Sequence, residues 1–242
     1  MEVKKIAKMR EGEPKLNAVK IGYDSVDDDY NFVVTDNAYG FLDVKDKNVL
    51  IVGGKAGALP LTVLRNDPKN VYVIESGFKN VKRILRNVIG NKDPHHLRGG
   101  KDDIILRGVL VGDGTDVRGE YFGAEFIPSG TSSVVKHTSK IDDYSYHDIN
   151  IIVIRQEGME MRILNGARNV ISSERPEIVI TKNMDKNSIK TVGFEFANEV
   201  LDLLHEIIGD DKEIKAQYMP YEKYDMVSFV FILPTKDIKG GN

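Results

Sequence analysis

The sequence predicts an α/β fold in which a parallel sheet carries helices on both faces. Three observations point there. Val49-Leu50-Ile51-Val52 is a continuous apolar run ending in Gly53-Gly54, the pattern of a strand buried on both sides. Further runs of this kind alternate with segments of helical spacing along the chain. No linker-like composition or internal repeat interrupts that alternation, so 1–242 reads as one domain: a lead-in over 1–46, an α/β core over 47–235 and a tail over 236–242.

The lead-in is mixed and polar. Its Asp27-Asp28-Asp29 cluster reads as a solvated turn and Phe32-Val33-Val34 as a short β-like run. After the first core strand, Ala58 to Arg65 is the expected helix, with Pro60 in its first turn, where a missing N–H costs little. Asn66-Asp67-Pro68 ends it, and Val71-Tyr72-Val73-Ile74 is the second strand. Phe78 to Ile89 is an amphipathic helix with Val81, Leu85 and Val88 on one face. A polar loop leads to a third strand within Ile104 to Val111, then a Gly-, Ser- and Asp-rich stretch holds a hairpin around Gly119 to Phe126. Ile149 to Ile154 is the fourth strand, Met159 to Ser172 a helix, and Ile178-Val179-Ile180 the fifth strand. Phe194 to Ile208 is a helix closed by Gly209, and Val227 to Leu233 is the last strand.

Composition narrows the function. At 242 residues the chain can bury a sizeable core as one domain. A net charge of -3 lends no support to a broad nucleic-acid footprint, which needs concentrated Lys and Arg. The absence of cysteine excludes disulfides, thiolate metal sites and cysteine nucleophiles. His95-His96 has no third ligand at recognisable spacing, so no metal is expected. The N-terminus is charged from its second residue, and no run approaches the roughly 20 apolar residues of a membrane span. A soluble, cytoplasmic protein is the expectation.

The strand, turn and helix at Val49 to Arg65 have a use in ligand binding. Gly53, Gly54 and Gly57 lack Cβ atoms, so a ligand can approach the backbone, and the turn aims the helix N-terminus at it. Glu75 follows at the end of the second strand, where an acid accepts hydrogen bonds from ribose hydroxyls. Lys55 within the turn and Ser76 beyond Glu75 complete the candidate cofactor set. The alternatives are a turn whose glycines serve tight packing and a Glu75 that is a solvated strand end. A phosphate-binding loop is set aside, because no Gly-Lys-Ser or Gly-Lys-Thr ends the turn. A nicotinamide enzyme stays compatible with this half-site alone.

Ile149 to Ala167, which contains Arg155-Gln156-Glu157-Gly158-Met159-Glu160 and Leu164-Asn165-Gly166-Ala167, resembles the signature of the FkbM-type methyltransferase family. There a strand ending in Lys-Ile-Asp runs into Glu-Gly-x-Glu and a helix containing Leu-x-Gly-Ala. Ile141-Asp142-Asp143-Tyr144, Gly112-Asp113 and Arg175 to Ile180 are similar to flanking segments of that family. The resemblance covers about Asn48 to Thr181. It implies the Rossmann-like class I methyltransferase fold, a seven-stranded, mostly parallel sheet with the last strand antiparallel. It also implies S-adenosylmethionine as cofactor and methyl transfer to a hydroxyl of a small molecule, lipid or glycan. Four positions depart from the family: Ile51 replaces an Asp, Lys55 an Asn, Val153 a Lys, and Arg155 the Asp that ends the fourth strand.

Methyl transfer is an in-line displacement, so positioning supplies much of the catalysis, and a base is needed only where the acceptor loses a proton. Glu157 is the candidate base or acceptor ligand, or else a helix N-terminal carboxylate. Glu160 reads as a first-turn structural residue. Arg155 pairs with Glu157, binds an anionic acceptor, or marks a lost activity. His137 and His147 precede the fourth strand and read either as solvated loop residues or as groups reaching the acceptor. Tyr121, Phe122 and Phe126 alternate as hairpin packing does, with an aromatic substrate platform as the alternative. The rival function is a non-catalytic protein of the same fold acting in binding or assembly. A nucleic-acid methyltransferase is disfavoured by charge and by the lack of an Asn-Pro-Pro-Tyr-like motif.

Overall fold

The computed structural model describes residues 7–8, 39–64, 66–90, 104–122, 125–209, 213–221 and 225–235. The acidic cluster at Asp27-Asp28-Asp29, Phe32-Val33-Val34, His95-His96 and the tail lie outside these. The main sheet is built from β1 (Ala7–Lys8), β2 (Asn48–Val52), β3 (Asn70–Ile74), β4 (Ile104–Arg107), β8 (Ile149–Ile154), β9 (Glu177–Asn183), β10 (Lys215–Tyr221) and β11 (Met226–Ile232). Its core order is β4-β3-β2-β8-β9-β11-β10, with the two-residue β1 beside β10. Every pairing is parallel except those of β11, which runs against both β9 and β10. This is the seven-stranded sheet with an antiparallel last strand that the sequence implies, with the short β1 added at its edge.

Period-two alternation splits each central strand between two cores. Val49, Ile51, Val71, Val73, Ile151 and Val153 face α1 (Ala58–Leu64) and Ile84 of α2 (Phe78–Gly90). Leu50, Val52, Ile152 and Ile154 face the other way, onto α3 (Glu160–Asn165), α4 (Arg168–Glu174) and α5 (Phe194–Ile208). Helices therefore cover both faces, as predicted.

Four details depart from or extend the expectation. The single helix expected from Met159 to Ser172 is two, broken at Gly166-Ala167. There the Gly166 carbonyl accepts the Asp142 N–H at 2.9 Å, and the backbone packs so closely on Gly112 that a Cβ at Gly166 would lie 1.7 Å from the Gly112 carbonyl oxygen. The start of α4 is then capped from a distance: Asp142 accepts from the N–H groups of Asn169 at 2.9 Å and Val170 at 3.1 Å. The Asp-rich segment and the Gly-Asp pair of the family resemblance thus have packing and capping work in this chain. β10 was not foreseen. It carries Pro220, which a strand beside the sheet edge tolerates. The expected hairpin is present as β5 (Asp116–Phe122) and β6 (Glu125–Pro128), joined by β7 (Val135–His137) in a small antiparallel sheet. Phe126 is buried and meets the half-exposed Tyr121 edge to face at 5.5 Å.

Candidate cofactor and acceptor site

In open α/β sheets, ligands gather outside the carboxyl ends of the strands. Here β2, β3, β8 and β9 bring the singled-out residues to that edge. The turn after β2 is sharply bent, with positive φ at Gly53, Lys55 and Gly57. Its glycines serve close approach of the protein to itself. A Cβ at Gly53 would lie 2.9 Å from the Arg155 carbonyl, and one at Gly54 would lie 2.6 Å from the Val73 side chain. The packing alternative therefore explains these glycines whatever else the turn binds.

Glu75 ties this turn to β3. Its Oε2 accepts the Lys55 N–H and its Oε1 the Gly77 N–H, both at 2.7 Å, with a further bond from the Asn80 side chain. The residue is 1% exposed, so it is no solvated strand end. Burial outweighs these bonds, and nearby Glu125 adds repulsion, so its pKa is raised from 4.5 to about 7. A carboxyl whose pKa is raised on folding favours the fold most when protonated. That contribution is full below about pH 4.5 and is lost as pH rises through about 7, a displacement worth about 3 kcal/mol. Glu75→Gln is expected to be less stable at low pH, because one amide oxygen cannot serve both N–H donors. It should also lack the wild-type decline between pH 4.5 and 8. Urea unfolding across that range checks this, and parallel pH profiles for the two proteins would refute it.

The neighbours of Glu75 form a connected edge. Ser76 donates to Gln156 Oε1 at 3.2 Å, and Gln156 Nε2 donates to the Phe126 carbonyl at 2.8 Å. The Lys55 ammonium lies 3.0 Å from Glu125 Oε1. Strand β6 thus lies across the ends of β2, β3 and β8. The edge carries a carboxylate of the kind that bonds a ribose diol, a hydroxyl and an amide beside it, and an ammonium of the kind that pairs with a carboxylate. A carboxylate offers about four acceptor positions, so Glu75 has capacity beyond its three bonds, but at 1% exposure it meets a ribose only when its cover shifts.

Next along the edge, Glu157 precedes α3 by three residues and accepts from Asn183 Nδ2, at the end of β9, at 2.8 Å. It lies outside the first helical turn, which disfavours the helix-dipole alternative. Glu160 does sit in that turn, 4% exposed, and pairs with Lys182 Nζ at 2.7 Å. The same ammonium lies 4.4 Å from the centre of the Phe196 ring. Arg155 is 4% exposed, and its guanidinium lies 5.6 Å from the ring centre of buried Tyr39, whose hydroxyl bonds Thr181. It faces the protein's own aromatic group.

Other candidates fall elsewhere. His147 lies at the amino end of β8, where its carbonyl accepts from Asn48, so it does not reach this edge. His137 pairs with Asp116 at 2.9 Å on the exposed small sheet. Asp113 is held by Arg162 at 3.1 Å and by Thr115, and although desolvation opposes it these bonds keep its carboxyl below the usual range. Glu125, Gln156, Lys182 and Asn183 belong to the edge and were not singled out from sequence. The polar Thr181-Lys182-Asn183 that follows the apolar run Ile178-Val179-Ile180 within β9 was the available signal. Among the described residues no group of three or more potential ligands could hold a metal ion. No helix among them is long and apolar enough to cross a membrane.

No family model and no curated protein matches this sequence. Among solved structures, the chain is similar to methyltransferase FkbM from Methylobacillus flagellatus, with TM-score 0.55 and 18% identity over 83% of this chain and 47% of that one. The chain therefore spans about half the length of that protein. Precorrin-6y C5,15-methyltransferase from Geobacter metallireducens aligns at TM-score 0.44 and 13% identity, over 79% of this chain and 81% of that one. Fibrillarin from Aeropyrum pernix, solved with bound S-adenosyl-L-methionine, aligns at 0.46 and 10%, over 79% and 69%. The first of these likenesses establishes the class I methyltransferase fold.

Proposed function

We propose that this chain binds S-adenosylmethionine at the carboxyl ends of β2 and β3 and transfers a methyl group to a hydroxyl of a small-molecule, lipid or glycan acceptor. The observation that carries the reading is Glu75 fixed at the end of β3, opposite the glycine turn, on a sheet of methyltransferase order. The cofactor would supply an electrophilic methyl carried on a sulfonium. Gly53, Gly54 and Gly57 shape the turn, Ser76 and, once its cover shifts, Glu75 would meet the ribose, and Lys55 would offer a cation to the amino-acid portion. Glu157, held by Asn183, would take the acceptor's proton, and Glu160 with Lys182 fixes the start of α3 against β9.

One observation favours the non-catalytic alternative. Arg155, where the family resemblance leads one to expect an Asp, is buried with its guanidinium 5.6 Å from the ring centre of Tyr39. In that reading the chain keeps the nucleoside and lacks turnover.

Titration calorimetry with S-adenosylhomocysteine tests the cofactor reading. Saturable binding is expected, and Glu75→Ala should weaken it by about 1–3 kcal/mol, the scale of hydrogen bonds to a charged group. Absence of heat with wild type at about 1 mM ligand would remove S-adenosyl nucleosides from the proposal. Binding without turnover on a broad panel of hydroxyl acceptors would favour the non-catalytic alternative.

A further inference from the structure

Lys55 and Glu125 come from different parts of the fold. Lys55 stands in the turn after β2, with φ 49°, and its backbone N–H is fixed on Glu75. Glu125 opens β6, a strand of the small sheet, and its carboxylate meets the Lys55 ammonium at 3.0 Å with both side chains only partly exposed. That strand is seated on the edge by the Gln156 bond to Phe126 and by Pro128, which would be 3.3 Å from a Cβ at Gly158. The pair therefore spans the seam between the main sheet and the hairpin, one charge on each side.

We infer that Lys55 and Glu125 are the two jaws of a subsite for a zwitterionic α-amino acid group, the amino-acid end of an S-adenosyl nucleoside. The inference rests on the cofactor reading above and adds Glu125 and a polarity to it. In the free protein the jaws neutralise each other. A ligand bearing both an α-carboxylate and an α-ammonium replaces one ion pair by two, Lys55 with the carboxylate and Glu125 with the ammonium, and leaves no charge unpaired. That balance matters because an uncompensated charge in a partly dry seam is costly. A ligand with a single charge at this end would instead strand one jaw. Moving β6 outward to admit the group would also loosen the cover of Glu75, whose ionised form Glu125 disfavours. Seating the amino-acid end and exposing the ribose acid would then be one motion.

Two nucleosides that differ at this end make the test. S-adenosylhomocysteine carries the zwitterion, whereas 5′-methylthioadenosine lacks both of its charges. Wild type should bind the first more tightly. Glu125→Gln and Lys55→Met should each weaken S-adenosylhomocysteine about ten-fold or more and leave 5′-methylthioadenosine nearly unchanged, as removal of a charged partner does. Equal loss for both ligands would show that the pair only supports the turn, and tighter S-adenosylhomocysteine binding by Glu125→Gln would show that Glu125 competes with the ligand. Either result overturns the subsite while the cofactor reading stands. Failure of wild type to bind either nucleoside overturns both.

Discussion

Gly166→Ala is expected to destabilise the protein by about 3 kcal/mol or more, the upper range for overpacking against groups that cannot yield. An added Cβ would lie 1.7 Å from the Gly112 oxygen, 2.8 Å from the Gly112 carbonyl carbon and 3.4 Å from the Lys140 Cα. All three are backbone atoms, so no side-chain rotation relieves the overlap. Gly112 cannot retreat easily, because its N–H bonds the Ser139 carbonyl, and Thr138 stands so near that a Cβ on Gly112 would itself lie 3.0 Å from that side chain. On the other side the Gly166 carbonyl accepts the Asp142 N–H at 2.9 Å, and Asp142 caps α4. The main-chain angles at Gly166, φ -80° and ψ -4°, suit any residue, so the cost is steric. Urea unfolding should show a lower midpoint at unchanged slope. Gly130→Ala is the matched control: a Cβ there meets nothing within 4 Å among the described residues, and its effect should stay within about 0.5 kcal/mol. Similar midpoints for the two variants would mean that α3 and α4 can separate from Gly112 without loss.

That contact also marks where sequence stops being informative. Met161, Leu164 and Ala167 keep helical spacing through the break, so periodicity alone continues the helix. The break coincides with close packing on a backbone 54 residues earlier, and that long-range contact is not written in the local pattern. The β2 turn, the fourth strand and α5 with its left-handed Gly209 were legible because each is set by its own residues: a continuous apolar run, glycines at a bend, and a φ of 62° at the helix end. β10 was hidden for the opposite reason. Its mixed Lys-Ala-Gln-Tyr-Met-Pro-Tyr sequence is half-buried, and its pairing with β11 decides its conformation.

The candidate site divides in the same way. Glu75 could be picked out by its distance from the turn, but its bonding to Lys55 and Gly77 could not. Those bonds depend on the turn's final shape. Arg155 was visible as a departure, and only the fold shows that the departure is absorbed by Tyr39, a residue from the lead-in. Glu125, on a strand of the other sheet, carries no motif at all. Its place opposite Lys55 follows from hairpin packing.

Lys182→Met should cost about 3–5 kcal/mol, since it breaks a buried pair by removing one partner. Glu160 is the more enclosed member, with its side chain 5% exposed against 17% for Lys182, so the variant strands a carboxylate inside the edge. Methionine keeps most of the aliphatic stem that packs towards Phe196, which confines the change to the lost ammonium. Adding Glu160→Gln to Lys182→Met removes the stranded charge, so the double variant should recover most of the loss. A pair that merely decorated the surface would show additive, small effects, below about 1 kcal/mol. The consequence reaches Glu157. Lys182 and Asn183 are successive residues at the end of β9, and they hold Glu160 and Glu157 respectively. Releasing the first bond frees the start of α3 from the strand that orients the second. Near-wild-type stability in Lys182→Met would show that Glu160 reaches water without its partner. The carboxyl edge of β8 and β9 would then be an open cleft, with Glu157 held by Asn183 alone.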